Sequence, residues 1–186
     1  NGSVTSAKGF TANGICAGVK ASNTTKKDLA LIYCDKVCNS AAIFTKNLVK
    51  SDTIYVTKKH LENGTAQAVV VNSGNANACN PDGYEKAEKM CSLAADALGV
   101  DENDVIVAST GVIGQPLPIE PIASGIEKLK GTLSKDGGIS AAEAIMTTDT
   151  VKKQWAVETV LDGKKVTIGG RSEEHTSELQ SPVSIA

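Results

Sequence analysis

Residues Val105-Ile106-Val107-Ala108-Ser109-Thr110-Gly111-Val112-Ile113-Gly114-Gln115-Pro116 pass from an apolar, β-branched run into a polar turn punctuated by two glycines. Where a strand ends and a helical pattern resumes, backbone N–H groups point outward. Such donors can hold a carboxylate, a phosphate, or the oxyanion of a carbonyl under attack. The residue types do not choose among these three, and a glycine-bearing strand-turn-helix also occurs in a purely structural role. A second polar turn, Asn72-Ser73-Gly74-Asn75-Ala76-Asn77-Ala78-Cys79, follows the apolar run Ala66 to Val71. Its side chains bond their own backbone readily, which reads as a knot of Asx turns. A third polar stretch, Thr147-Thr148-Asp149-Thr150, lies at the exit of a short helical pattern, where small polar residues can cap a helix or bind a ligand.

Other chemistries find little support. Five cysteines, Cys16, Cys34, Cys38, Cys79 and Cys91, are odd in number and irregular in spacing, which suits a reducing, cytoplasmic setting better than a disulfide framework. Cys34 and Cys38 lack the second Cys or His pair that a zinc site needs, since His60 is isolated and His175 lies near the end of the chain. Lys and Arg number 19 against 21 Asp and Glu, with no basic block and 3% aromatics, so neither an electrostatic footprint nor a stacking platform for nucleic acid is present. No apolar run is long enough to span a bilayer, and residues 1–20 lack the order of a secretion signal, so a soluble protein is expected. The sequons at Asn23 and Asn63 are then chance matches.

The elements that must position the three polar turns follow from periodicity. The 186 residues, 41% of them apolar, suffice for one domain. Gly9 to Ile15 reads as a loop leading to a short strand. Leu29 to Cys34 reads as a strand covered on both faces, with Ala41-Ala42-Ile43-Phe44-Thr45 expected to pair beside it. Asp52 to Lys58 carries a mixed pattern that assigns no element, and His60-Leu61 reads as a turn or short helix. Asp82 and Glu85 suggest a capping box for a helix over 83–98, closed by Gly99. Strands at 66–71 and 105–108 flank that helix. If they are parallel, their carboxyl ends share one edge and the Asn72 and Ser109 turns are neighbours. Ile119, Ile122, Ile126 and Leu129 trace the stripe of a helix over 119–130, and the helices at 83–98 and 119–130 are expected to cover the faces of the sheet. Ser140 and Glu143 suggest a second capping box. Residues 154–161 and 164–168 form a hairpin around Asp162-Gly163.

Beyond Gly170 the pattern lapses. Residues 171–186 have no apolar face and no period, and no fold element is expected there. They hold one basic residue, Arg171, and three acidic ones, Glu173, Glu174 and Glu178, so residues 1–170 are formally neutral and the whole net charge of −2 comes from this tail. Arg171 to Ser181 also looks like the in-frame translation of a sequencing-library adaptor. The native portion is therefore expected to span 1–170, with 171–186 a non-native tail.

Five strings stand in the order and spacing of a known family: Ala41 to Thr45, Asn72 to Cys79, Ser109-Thr110-Gly111-Val112-Ile113-Gly114, Ile145-Met146-Thr147-Thr148-Asp149-Thr150, and Asp162-Gly163 through Val166-Thr167-Ile168-Gly169-Gly170. Across residues 1–170 the chain resembles the bifunctional ornithine acetyltransferase (glutamate N-acetyltransferase) family. The resemblance implies acetyl transfer from N-acetylornithine to glutamate in arginine biosynthesis, through an acyl-threonine intermediate, in a protein that cuts itself into two chains just before a threonine. It implies an α+β fold, a layered α/β/β/α sandwich of which only the first-chain portion is present, completed by the second chain in a heterotetramer. Thr110 and Gly111 match the oxyanion-hole pair, and Thr147, or less well Thr148, a substrate-binding threonine. No cofactor is implied, with acetyl-CoA a possible acetyl donor. The family's substrate lysine, nucleophilic threonine and second chain lie past Gly170, so the chain by itself is expected to be inactive.

Two other readings use the same donor turns: a non-enzymatic anion-binding domain, and a nucleotide-binding α/β domain. The second lacks both the Walker pattern and G-x-G-x-x-G after any strand.

Overall fold

The computed structural model describes residues 2–172 and 184–185. In chain order the elements are β1 (Phe10–Ile15), β2 (Leu29–Ala41), α1 (Asp52–His60), β3 (Thr65–Asn72), α2 (Gly83–Leu98), β4 (Val105–Ser109), α3 (Ile119–Lys130), α4 (Gly138–Ala144), β5 (Lys153–Leu161), β6 (Lys164–Ser172) and β7 (Ser184–Ile185). The main sheet runs β1-β2-β3-β4, with β5-β6 forming a separate two-stranded sheet. β1, β2 and β3 pair antiparallel, whereas β3 and β4 pair parallel with Asn72 opposite Ser109. The carboxyl ends of β3 and β4 therefore share one edge, as the strand-helix-strand pattern requires. The fold is mixed α+β.

Alternation along the strands sorts the core into two layers. Leu29, Leu31, Val70, Val105 and Val107 face α1, α2 and α3 and pack with Val56, Met90, Cys91, Ala94, Ile122, Ile126 and Leu129. Ala30, Ile32 and Val71 face the other way, onto Ala141, Ala144 and Ile145 of α4 and its exit. The helices 83–98 and 119–130 thus pack against each other on the same face, correcting the expectation that they cover the sheet's faces between them. The opposite face receives the short α4. Periodicity identifies a helix's apolar stripe but not which side of the sheet it meets.

Three local expectations are also corrected. Residues 42–45 form no strand: β2 runs unbroken to Ala41, and Ile43 is 72% exposed. β2 reaches so far because it bulges. Between the pairs Tyr33–Ala68 and Cys38–Ala66 it takes five residue steps while β3 takes two. Asp82 makes no side-chain cap on α2, and its carboxylate lies 3.9 Å from Lys86 Nζ instead. Ser140 does not begin α4, which starts at Gly138. The start can lie so early because Gly137 sits on the backbone of β1, where a Cβ would fall 1.7 Å from the Ala12 carbonyl oxygen.

The region that periodicity left unassigned is α1. Ser51 accepts the Thr53 N–H at its start, Asp52 occupies the first turn, and Lys58, Lys59 and His60 the last, complementing the helix dipole at both ends. α1 covers the outer edge of β4. Thr57 Oγ1 donates to the Val107 carbonyl at 2.8 Å and accepts the Val107 N–H at 3.2 Å. His60 Nδ1 lies 2.9 Å from the Val105 carbonyl, an acceptor, so this nitrogen carries the proton. Side chains thus satisfy the edge that another strand would otherwise seek.

β5 and β6 pair along their whole length around Asp162 (φ 50°) and Gly163 (φ 73°), the left-handed pair of a tight hairpin. β6 continues through Arg171 and Ser172, and Arg171 Nη1 donates to the Ala141 carbonyl at 2.9 Å. Ser184–Ile185, where no fold element is expected, pair antiparallel with Ser40 and Ala41. His175 and the rest of the stretch 173–183 lie outside the described residues. Among the described residues no helix is long and apolar enough to cross a membrane.

Candidate functional site

The site is built at the shared carboxyl edge of β3 and β4. Asn72 closes β3 and is fully buried. Its amide nitrogen donates to Ser109 Oγ at 2.6 Å, and its amide oxygen accepts the N–H groups of Gly74 at 3.1 Å and Asn75 at 3.0 Å. Asn75 continues the scheme: its oxygen accepts the Asn77 N–H at 2.7 Å, and its nitrogen donates to the carbonyls of Gln115 and Pro116 at 3.0 and 3.2 Å. Asn77 donates to the Gly83 carbonyl at 2.7 Å, anchoring the start of α2. The three asparagines are buried because each replaces a backbone partner that a turning chain cannot supply. The Asn72–Cys79 turn is therefore the structural knot its composition suggests, and it also braces the neighbouring turn.

That neighbour carries Thr110 and Gly111. The Thr110 N–H donates to the Asn72 carbonyl at 3.0 Å, Ala76 N–H to Val112 carbonyl at 2.9 Å, and Gly114 N–H to Ala78 carbonyl at 3.0 Å. The two turns are laced together by backbone hydrogen bonds. Thr110 is half-buried, while residues 111–116 are exposed. Gly111 has φ 127°, and a Cβ there would lie 2.9 Å from both Asn75 N and Gly74 C, so side chains are excluded by conformation and by space. Among the described residues no acceptor takes the Gly111 N–H. An N–H on a backbone fixed in this way, next to a threonine, is a donor of the kind that can meet negative charge as it develops on a carbonyl oxygen.

Thr147 and Thr148 follow α4. Thr147 is half-buried and Thr148 exposed. The Thr147 N–H donates to Asp149 Oδ2 at 3.3 Å, and Asp149, whose side chain is only 3% exposed, pairs with Lys153. α4 is tied to the Asn72 turn by Ser73, whose hydroxyl donates to the Ala144 carbonyl at 2.7 Å. A chain of contacts thus runs from Thr110 through Asn72 and Ser73 to the segment carrying Thr147. Glu143, one turn before, receives Lys152 and Lys27, each at 2.8 Å, and these two hydrogen bonds hold its carboxyl below the usual glutamate range. A shallow depression of about 440 Å³ beside this segment is lined by Glu143, Met146, Thr150, Val151 and Lys152.

Sequence reasoning singled out Thr110, Gly111, Thr147 and Thr148 but not the residues that brace them. Asn72 and Ser73 belong to the polar turn at the end of β3. Lys26 and Lys27, which reach across to Thr147 and Glu143, carry no local signal, because their partners are more than a hundred residues away in the chain.

Other nucleophiles and ligands are poorly placed. All five cysteines are free thiols. Burial, together with the neighbouring Cys34 thiol, pushes Cys38 up to about 11, and burial pushes Cys91 up as well, so both stay protonated at neutral pH. Among the described residues no three His, Cys, Asp or Glu side chains converge as a metal site would require.

Comparison with known proteins follows the same outline. The model of the ArgJ family matches residues 11–173. The arginine biosynthesis bifunctional protein ArgJ of Caldanaerobacter subterraneus subsp. tengcongensis is 47% identical over 171 residues, which make up 91% of this chain and 42% of that protein. The chain thus spans less than half the length of this relative. The solved ArgJ protein of Bacillus halodurans superposes with a TM-score of 0.87 at 39% identity, covering 98% of this chain and 95% of the solved one. The ornithine acetyltransferase of Mycobacterium tuberculosis, solved in complex with ornithine, gives a TM-score of 0.86 at 34% identity, covering 100% of this chain and 96% of its own.

Proposed function

The chain belongs to the ArgJ family, and from that membership we propose that it is the first-chain portion of a cytoplasmic enzyme that moves the acetyl group of N-acetylornithine to glutamate. The observation that carries the reading is the Thr110–Gly111 turn, a rigid donor pair at the edge of a parallel strand pair in a chain matched by the family model over residues 11–173. The threonine nucleophile of the family lies past this chain. Its hydroxyl attacks the acetyl carbonyl, the C–N bond breaks, and ornithine leaves with a proton on its amine. The amine of glutamate then attacks the threonine ester, forming N-acetylglutamate and returning the hydroxyl. At each attack the carbonyl oxygen gains negative charge, which the Thr110 hydroxyl and Gly111 N–H stabilise more than they stabilise the neutral carbonyl. Thr147 contacts the substrate, with Thr148 beside it at the surface.

The division into two polypeptides has support in the coverage figures. The chain covers 95% of the solved Bacillus halodurans chain but 42% of the curated Caldanaerobacter protein, as when one translation product becomes two chains. The remainder of the enzyme then supplies the nucleophile, the substrate lysine and further substrate contacts, and this chain alone is inactive.

The test is isotopic. N-acetylornithine labelled in its acetyl group is incubated with glutamate and the full-length enzyme, and label is expected in N-acetylglutamate in step with ornithine release. Saturable binding of nucleotide or phosphate without any transfer of label would contradict the proposal and favour an anion-binding domain.

A further inference from the structure

Thr147 is held at its carbonyl from the other end of the chain. Lys26 Nζ donates to the Thr147 carbonyl at 2.7 Å, while the Thr147 N–H is held by Asp149. The lysine is not a loose surface arm at its base, because its own backbone is fixed on both sides by one side chain. Asn23 Oδ1 accepts the Lys26 N–H at 2.9 Å, and Asn23 Nδ2 donates to the Lys26 carbonyl at 2.7 Å. The same Asn23 nitrogen donates at 2.9 Å to Asp28, a carboxylate 2% exposed that also accepts the N–H groups of Ala17 at 2.6 Å and Val19 at 2.9 Å.

The next two residues tie the same strap to the rest of the site. Lys27 Nζ donates to Ser140 Oγ and Glu143 Oε2 on α4, each at 2.8 Å. The Asp28 carbonyl accepts the Ser73 N–H at 2.8 Å, and Ser73 holds the end of α4 through the Ala144 carbonyl. Three consecutive residues thus reach the Thr147 peptide, the helix before it, and the turn that braces Thr110. We propose that Lys26 is a positioning residue for substrate binding, setting the placement of Thr147 relative to the Thr110–Gly111 turn. The proposal rests on the reading of Thr147 as a substrate contact given above. Small displacements of a binding group cost affinity even when the group itself is intact, so the device acts through geometry.

The experiment uses the full-length enzyme and four variants: Lys26→Met, which keeps the apolar stem, Lys26→Arg, which restores a donor, Thr147→Val, and the double variant Lys26→Met with Thr147→Val. Lys26→Met should raise KM for N-acetylornithine about five- to tenfold while kcat stays within about twofold. The melting temperature should be unchanged, because Lys26 is exposed. Lys26→Arg should recover most of the KM, and the double variant should bind no worse than Thr147→Val alone, because Lys26 acts only by placing the hydroxyl that Thr147→Val already removes. A normal KM in Lys26→Met beside a raised KM in Thr147→Val would overturn the positioning role and leave the role of Thr147 intact, as would fully additive effects. A normal KM in Thr147→Val would overturn the substrate contact itself, and the positioning role with it.

Discussion

The amide of Asn72 donates to Ser109 Oγ at 2.6 Å across the ends of two parallel strands, and the same side chain accepts two N–H groups of its own turn. One buried residue therefore fixes the relation between the two loops that form the site. Asn72→Ala leaves the Gly74 and Asn75 N–H groups unsatisfied in a buried turn and takes a partner from the half-buried Ser109. At about 1–3 kcal/mol for each buried group left unpaired, with some relieved by relaxation, a loss of about 2–4 kcal/mol is expected. Chemical denaturation of the chain measures it. A midpoint equal to wild type would show that the turns do not depend on this residue.

Thr57 supports β4 from its other side. Its hydroxyl both donates to and accepts from the backbone of Val107. Thr57→Val keeps the volume and removes both bonds, so the expected cost is again about 2–4 kcal/mol, set by two buried backbone groups without partners. If Thr57→Val melts with wild type, the edge is satisfied in some other way.

Much of this arrangement was legible in the sequence, and the remainder fails for identifiable reasons. Strands β3 and β4, helices α2 and α3, the adjacency of the Asn72 and Ser109 turns, and the Asp162-Gly163 hairpin all rest on local periodicity or turn chemistry, and all are present. The run Ala41 to Thr45 is apolar enough to suggest a strand, yet only Ala41 belongs to one, as the last residue of β2. The box at Asp82 failed because a capping pattern specifies residue types but not the φ, ψ that aim the side chain; Asp82 stands at φ −114°, ψ 19° and makes no cap. The apolar stripe of α1 is thin: besides Val56 its buried face is Thr53, whose hydroxyl pairs with Ser51 Oγ, and Thr57 and His60, whose partners are backbone groups of β4, so no apolar period marks the helix. The pairs Lys26–Thr147 and Lys27–Glu143 join distant parts of the chain, and nothing local marks them.

Glu143 gives a pH signature. Hydrogen bonds from Lys152 and Lys27 lower its pKa in the folded state relative to the unfolded chain. The sign follows from linkage: the stabilisation is fully present above the ordinary glutamate value and is lost as pH falls through the lowered folded value. Its side chain is 36% exposed, so screening keeps the effect small. Stability measured by urea unfolding from neutral to acid pH should fall less steeply for Glu143→Gln than for wild type. Parallel acid limbs would contradict the pairing.

One face of the hairpin β5-β6 leaves Trp155, Leu161 and Ile168 more than half exposed, at 63%, 58% and 57%. On the proposed two-chain organisation this face is covered by the rest of the enzyme. The chain produced alone should self-associate or bind a second chain supplied from a close relative, and Trp155→Glu should weaken that binding. A monomer by light scattering that melts cooperatively and ignores the second chain would contradict this organisation.

The central claim is that Thr110 and Gly111 stabilise the oxyanion of acetyl transfer, and the direct measurement is steady-state transfer by full-length Thr110→Ala, taken beside its melting curve. Loss of one preorganised donor typically costs about 2.7–4 kcal/mol, or about 10² to 10³ in rate. The account predicts that kcat falls by that factor in a protein that melts close to wild type. A near-normal kcat in the folded variant would contradict it and make Thr110 a purely structural residue.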